Sequence, residues 1–181
     1  MRIIAGAAKG RTIQAPKGLD TRPTLDRVKE AMFGAVQFRI AGARVLDLFA
    51  GSGNLGLEAL SRGAIFAVLN DRSRTCCKLI EQNGDKLGFG DRMRALCLDY
   101  SRAADTLTGN EFDLVFLDPP YKAGLYTGAL AALRRNRLLV PGALVILEHS
   151  CGEATPLPDT FRIFRETRRY GEAAITILEG E

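Results

Sequence analysis

The sequence has no tryptophan, one histidine (His149) and four cysteines, Cys76, Cys77, Cys97 and Cys151, none in a C-x-x-C spacing. A zinc site needs about four nitrogen or sulfur ligands at turn-compatible separations, so this inventory points away from a metal and toward buried free thiols. No apolar run approaches the roughly 20 residues that a membrane helix requires. The opening Met1-Arg2-Ile3-Ile4 leads at once to Lys9 and Arg11 rather than to the long apolar core of a secretory leader. A metal-free cytoplasmic protein with no membrane partner is expected. Internal repeats, low-complexity segments and linkers are also missing.

What is present is a chain of 181 residues, 46% apolar and 25% charged, enough for one domain with a full core and too short for two. A monomer is expected: a single compact unit in which residues 1–40 form a basic arm or hairpin plus a helix, and residues 41–181 form the main domain. The charge is uneven. Residues 1–29 hold seven Lys or Arg against two Asp, a local balance of +5 in a chain of net +4, which leaves the remainder at −1. A basic arm on a nearly neutral body fits contact with a polyanion, nucleic acid being the commonest, or a solvated basic surface.

Residues 1–20 alternate weakly and are punctuated by Gly6, Gly10, Pro16 and Gly18, a short hairpin or extended arm. Pro23 holds its predecessor extended and Thr24 can cap a helix. Leu25, Val28, Met32, Ala35 and Val36 then recur at helical spacing to about Phe38. From residue 44 strands and helices alternate: strands at 44–49, 66–70, 93–98, 114–118 and 143–148, helices at 54–62, 73–87, 102–107 and 124–136. This is the pattern of a parallel α/β sheet covered on both faces. The end differs, with strand-like runs at 161–170 and 172–178 joined by Gly171, an antiparallel hairpin.

The chain is organised around Asp47-Leu48-Phe49-Ala50-Gly51-Ser52-Gly53-Asn54-Leu55-Gly56, an apolar strand that breaks into glycines and resumes as a helix. Gly51, Gly53 and Gly56 spell G-x-G-x-x-G, with Asp71 about twenty residues on, a spacing shared by dehydrogenases and other nucleoside-binding enzymes. Asp47 helps to choose. A carboxylate at the end of the first strand is awkward beside a pyrophosphate but attracts an ammonium, which S-adenosylmethionine carries. Asp71, ending the second strand, can accept from ribose hydroxyls, and Asp99, ending the third, can reach an adenine amine. Each has an ordinary alternative as a strand-end or capping aspartate. Phe49, Ala50, Ser52, Arg72 and Tyr100 flank these positions and belong to the same expected cofactor site.

A second stretch carries the chemistry. The apolar strand ending at Leu117 leads into Asp118-Pro119-Pro120-Tyr121, where two prolines stop the strand and stiffen the backbone at the crevice. An exocyclic amine on a nucleobase is a poor nucleophile because its lone pair is delocalised into the ring. Hydrogen bonds to the Asp118 carboxylate and to the Pro119 carbonyl would localise that pair and aim it at a methyl group, while Tyr121 stacks on the base. Asp118 would also border the cofactor.

These residues resemble the class I S-adenosylmethionine-dependent methyltransferases with an Asp/Asn-Pro-Pro-Tyr/Phe motif. The likeness is closer still to the bacterial 16S rRNA guanine-N2 methyltransferases, through Arg2-Ile3-Ile4-Ala5-Gly6, Lys9-Gly10-Arg11, Thr21-Arg22-Pro23-Thr24, Asp26-Arg27-Val28 and the glycine turn. The resemblance implies a Rossmann-like sheet with a reversed last strand, and S-adenosylmethionine as cofactor with S-adenosylhomocysteine as product. It implies N2-methylguanosine in 16S rRNA, made on a partly assembled small ribosomal subunit. It further implies RNA contacts from the arm, through Arg2, Lys9 and Arg11, and from Arg22, Thr24 and Arg27 beside the active site. Asn54 and Asn70 depart from the family's usual residues.

Other readings stay open: an adenine-N6 DNA methyltransferase using the same tetrapeptide, or an RNA-binding assembly factor without catalysis. Glu148 and His149 close a strand and are expected to be solvent-exposed. Asn83 is expected to be structural, and Tyr126 to serve the core, the surface or the pocket rim.

Overall fold

The computed structural model describes residues 1–16, 23–120, 124–151 and 160–180. Strands β1 (Arg44–Asp47), β2 (Phe66–Asn70), β3 (Met93–Leu96), β4 (Phe112–Leu117) and β5 (Leu139–Ser150) pair in parallel, whereas β6 (Phe161–Tyr170) and β7 (Ala173–Gly180) form an antiparallel hairpin. The order across the sheet is β3-β2-β1-β4-β5-β7-β6, so β7 sits between β5 and the edge strand. The chain reverses its winding between β1 and β4, which opens a crevice beyond their carboxyl ends.

Alternation along each strand sends side chains to two core layers. Val45, Leu114, Phe116 and Ile146 pack under the amino-terminal arm, α1 (Pro23–Ala35), α2 (Asn54–Ser61) and α3 (Arg74–Leu87). Leu46, Val115, Leu117 and Leu147 pack under α4 (Tyr100–Thr106) and α5 (Tyr126–Arg135). Among the described residues no helix is long and apolar enough to cross a membrane.

The arm is tied into the first layer rather than left extended. Ile3, Ala8 and Ile13 are buried, and one antiparallel bridge, Arg2 to Thr12, closes it on itself. The Glu58 carboxylate on α2 accepts from the backbone N–H of Ile4 (2.8 Å) and Ala5 (3.0 Å). Ser61 accepts from the Ala8 N–H and donates to the Ala5 carbonyl.

Several sequence-derived boundaries are corrected. α1 starts at Pro23 itself, a first-turn position for which a fixed φ is preorganised, so Thr24 is not the residue that precedes the helix. It ends at Ala35, and residues Gln37–Arg39 tighten into a 3₁₀ turn. α4 starts at Tyr100 because the Asp99 side chain caps it by accepting from the Ser101 N–H. β5 begins four residues before the expected 143, since Leu139 already pairs with Phe112 and the register shift between Phe112 and Leu114 absorbs the irregularity. Of the four free cysteines only Cys77 is buried; Cys97 is exposed.

Candidate active site

The crevice encloses a cavity of about 540 Å³, within the range of small-molecule sites. Its floor is the glycine turn, and the carboxyl ends of the central strands supply its walls. Asp47, Phe49, Ala50, Gly51, Ser52 and Asp71 line it from β1 and β2. Arg72, Asp99, Tyr100, Asp118, Pro119 and Pro120 complete the sequence-derived residues that reach it. Gly53 does not. It lies behind the turn as the left-handed residue before α2, facing Leu57 and Leu69.

Two glycines serve different ends. Gly51 has φ +56° and no atom within 4 Å of where a Cβ would stand, so the backbone is bare to the cavity. A Cβ on Gly56 would lie 2.7 Å from Leu69 Cδ2, so this glycine lets α2 press against β2. That closeness brings the Gly56 N–H to 2.9 Å from Asp47 Oδ2.

Asp47 is 1% exposed, and its other oxygen, Oδ1, has no hydrogen-bond partner among the described residues. Burial, reinforced by the nearby Asp71 charge, pushes its pKa up to about 7 against the pull of the Gly56 N–H. A buried unpaired carboxylate oxygen is costly, and an ammonium at this position would satisfy it. Asp71 shapes the turn: its two oxygens accept from the N–H groups of Gly51 (2.9 Å) and Ser73 (2.8 Å). Each keeps a lone pair for a hydroxyl. The Phe49 and Tyr100 rings, with centroids 5.7 Å apart, give the cavity an aromatic wall.

Asp118 is half-buried one residue past β4. Leu117 is in register with Leu147, which sets Asp118 beside Glu148 on the neighbouring strand. Burial, then the charges of Glu148 and Asp47, raise the Asp118 pKa well above the usual carboxylate value. Glu148 and His149 correct the sequence reading: they are 7% and 4% exposed, because β7 pairs along β5 as far as Ser150 and covers the strand end. Glu148 lines the cavity, and the Tyr126 hydroxyl donates to its carbonyl (2.6 Å). His149 Nε2 meets Thr176 Oγ1 at 2.9 Å.

Sequence reasoning missed Lys29, Asn54 and Met1, which also line the cavity. The buried Lys29 ammonium donates to the Arg2 carbonyl and to Asn54 Oδ1 and pairs with Glu58. Asn54 thus departs from a small residue to receive a lysine. Asn70 departs for a reason of its own, since its amide donates to the carbonyls of Leu48 and Leu98 and so ties three strand ends together.

Of the expected RNA-side residues, Arg2, Lys9, Arg11 and Arg27 do not line the cavity. Lys9 and Arg27 are exposed, Arg2 pairs with Asp26 (2.9 Å), and Arg11 donates to the carbonyls of Lys86 and Leu87 at the end of α3. Tyr121, Arg22 and the Thr24 side chain lie outside the described residues.

The chain that builds this glycine-floored cavity, with a buried acid on β1 and an Asp-Pro-Pro rim on β4, is similar to known proteins over nearly its whole length. The family model for conserved hypothetical protein 95 matches residues 1–179. The chain belongs to that family. Ribosomal RNA small subunit methyltransferase D of Escherichia coli K12 is 34% identical over 182 residues, covering 100% of this chain and 90% of that protein. The protein of the same name from Haemophilus influenzae is 33% identical over 170 residues, covering 92% and 87%. The solved structure of yhhF from Escherichia coli superposes with a TM-score of 0.88 at 32% identity, covering 100% of this chain and 98% of that one. The family's fold is therefore that of the class I methyltransferases, a mostly parallel sheet with a reversed hairpin.

Proposed function

We propose that this protein transfers a methyl group from S-adenosylmethionine to the exocyclic N2 of a guanine in 16S rRNA, acting on a small-subunit particle or an assembly intermediate. The observation that carries the reading is the placement of Asp118 and Asp47 on one cavity, next to a bare glycine turn. Relatives named as small-subunit rRNA methyltransferases supply the substrate class.

The cavity's own residues fit the cofactor. Five carboxylates, those of Asp47, Asp71, Asp99, Asp118 and Glu148, face it with the cations Lys29 and Arg72. Such a balance favours a ligand with positive charge over one with a pyrophosphate. Asp47 Oδ1 would hold the amino group, Asp71 the ribose, and Phe49 with Tyr100 the adenine. When bound, S-adenosylmethionine supplies an electrophilic methyl on a sulfonium.

Asp118 and the Pro119 carbonyl would orient the guanine amine by accepting hydrogen bonds from its two N–H groups, which localises the lone pair for attack. Once the nitrogen is methylated its extra proton is acidic, and Asp118 in its carboxylate form can take it. Reaching a paired base would need its extrusion, at a few kcal/mol unless the strand is already open.

Incubation with labelled S-adenosylmethionine and, separately, naked rRNA, 30S particles and duplex DNA tests the reading. After digestion the label should appear in N2-methylguanosine from rRNA. Label in N6-methyladenosine, or transfer only to DNA, would overturn it.

A further inference from the structure

The charge concentrated in the arm is not the chain's only basic feature. Edge strand β6 reads Phe-Arg-Ile-Phe-Arg-Glu-Thr-Arg-Arg-Tyr, four arginines in ten residues. Arg162 is neutralised by Glu179 at 2.8 Å. Among the described residues Arg165, Arg168 and Arg169 have no ion-pair partner. All three are exposed, and Ile163 and Phe164 beside them are 51% and 40% exposed.

Register fixes where the arginines stand. Arg165 is opposite Ile177 and Arg168 opposite Ile175, and both isoleucines pack in the core layer that holds Val28, Met32 and Phe33 of α1. Arg165 and Arg168 therefore emerge on the α1 face of the sheet, and a shallow groove is lined by both together with Ala31 and Ala35. On a helix turning 100° per residue, Asp26 and Lys29, which meet the arm, lie on one flank and Ala31 and Ala35 on the other. Arg27 is on the exposed ridge between them. Lys29, two residues before Ala31, lines the large cavity.

Charged side chains on an edge strand also discourage sheet-to-sheet pairing, and for that purpose either sign serves. Protection of the edge does not account for arginine at four of the strand's five charged positions, three of them without an ion-pair partner among the described residues from the middle of β6 to the end level with Glu148, while Arg162 at the other end is paired. Unpaired guanidinium groups with the exposed Ile163 and Phe164 beside them match the phosphates and bases of a nucleic acid strand.

We propose that Arg165 and Arg168 of β6 form a second RNA-binding arm, gripping phosphates that flank the target nucleotide on the far side of α1 from the amino-terminal arm. The inference rests on the rRNA-methylating reading above and goes beyond it in naming a surface that the arm does not include.

The test is binding of R165A/R168A, with R162A as an in-strand control, to 30S particles and to 16S rRNA fragments across a salt series. Each lost phosphate contact lowers the slope of log affinity against log salt by about 0.7 to 0.9, so the double variant should lose about 1.5 from the slope and roughly tenfold or more in affinity. R162A should match wild type, and S-adenosylhomocysteine binding should be unchanged in both variants, which verifies the fold. Wild-type affinity and slope in the double variant, with methylation by wild type intact, would overturn the second arm alone. Failure of wild type to bind or methylate rRNA would remove both readings. Loss of self-association in the double variant, with RNA affinity unchanged, would assign the edge to a second copy of the chain and likewise overturn the proposal.

Discussion

Lys29 Nζ and Glu58 Oε2 stand 3.2 Å apart with side chains 3% and 0% exposed. The pair joins α1 to α2, and the same glutamate holds Ile4, Ala5 and Arg62. Removing one member of a buried pair strands the other charge, at a typical cost of about 3 to 5 kcal/mol. Glu58→Ala should lower stability by that order in denaturant titration. The amide protons of Ile4 and Ala5 should also lose their exchange protection first.

The raised Asp47 pKa sets a pH dependence of cofactor binding. Below about 7 the group is largely protonated and offers no charge to an ammonium. Affinity for S-adenosylhomocysteine should therefore rise with pH, by up to roughly tenfold per unit, and level off above about 7. Asp47→Asn should bind more weakly and flatten the profile in calorimetric titrations. For the unliganded protein the sign is opposite: between 3.8 and about 7 the folded state keeps a proton that the unfolded chain has released, so this group's stabilising contribution falls as pH rises through that window.

Gly56→Ala tests the packing beneath the turn. The added methyl meets Leu69 Cδ2 at 2.7 Å and Cγ at 2.8 Å, and Leu69 is fully buried. Overpacking of this kind costs about 1 to 3 kcal/mol. The shift of α2 should also disturb the Gly56 hydrogen bond to Asp47, so cofactor affinity should fall along with thermal stability.

Asp118→Asn keeps the size of the side chain and removes its charge. Methylation of rRNA should drop by about 10² to 10⁴, the usual range for losing a positioned acid–base group, with cofactor affinity within a few fold of wild type. Turnover measured beside equilibrium binding separates the two effects.

The sheet was legible because β-branched apolar strands and periodic helices leave strong, local patterns, and the glycine turn and Asp-Pro-Pro motif mark strand ends by composition. Lys29 was not legible. A lysine within a helical pattern reads as solvated, and only the distant Glu58 and Asn54 make its burial tolerable. Glu148 was misplaced for a related reason: its exposure depends on whether β7 covers β5, a pairing between segments 27 residues apart at the Glu148–Ile175 step. Asn83 was read correctly as structural, but its partners Gln14 and Ser52 lie far off in sequence.

On the proposed reading, that asparagine links the RNA-binding arm to the cofactor cavity. Its carboxamide accepts from the Gln14 N–H and donates to the carbonyls of Gln14 and Ser52, so one planar group bridges the amino-terminal arm and the floor of the cavity. On that reading, a displacement of the arm on binding RNA would be passed to the floor by this rigid amide. Linkage makes such traffic two-way: whatever filling the cavity does for the grip on RNA, gripping RNA does equally for the hold on the cofactor.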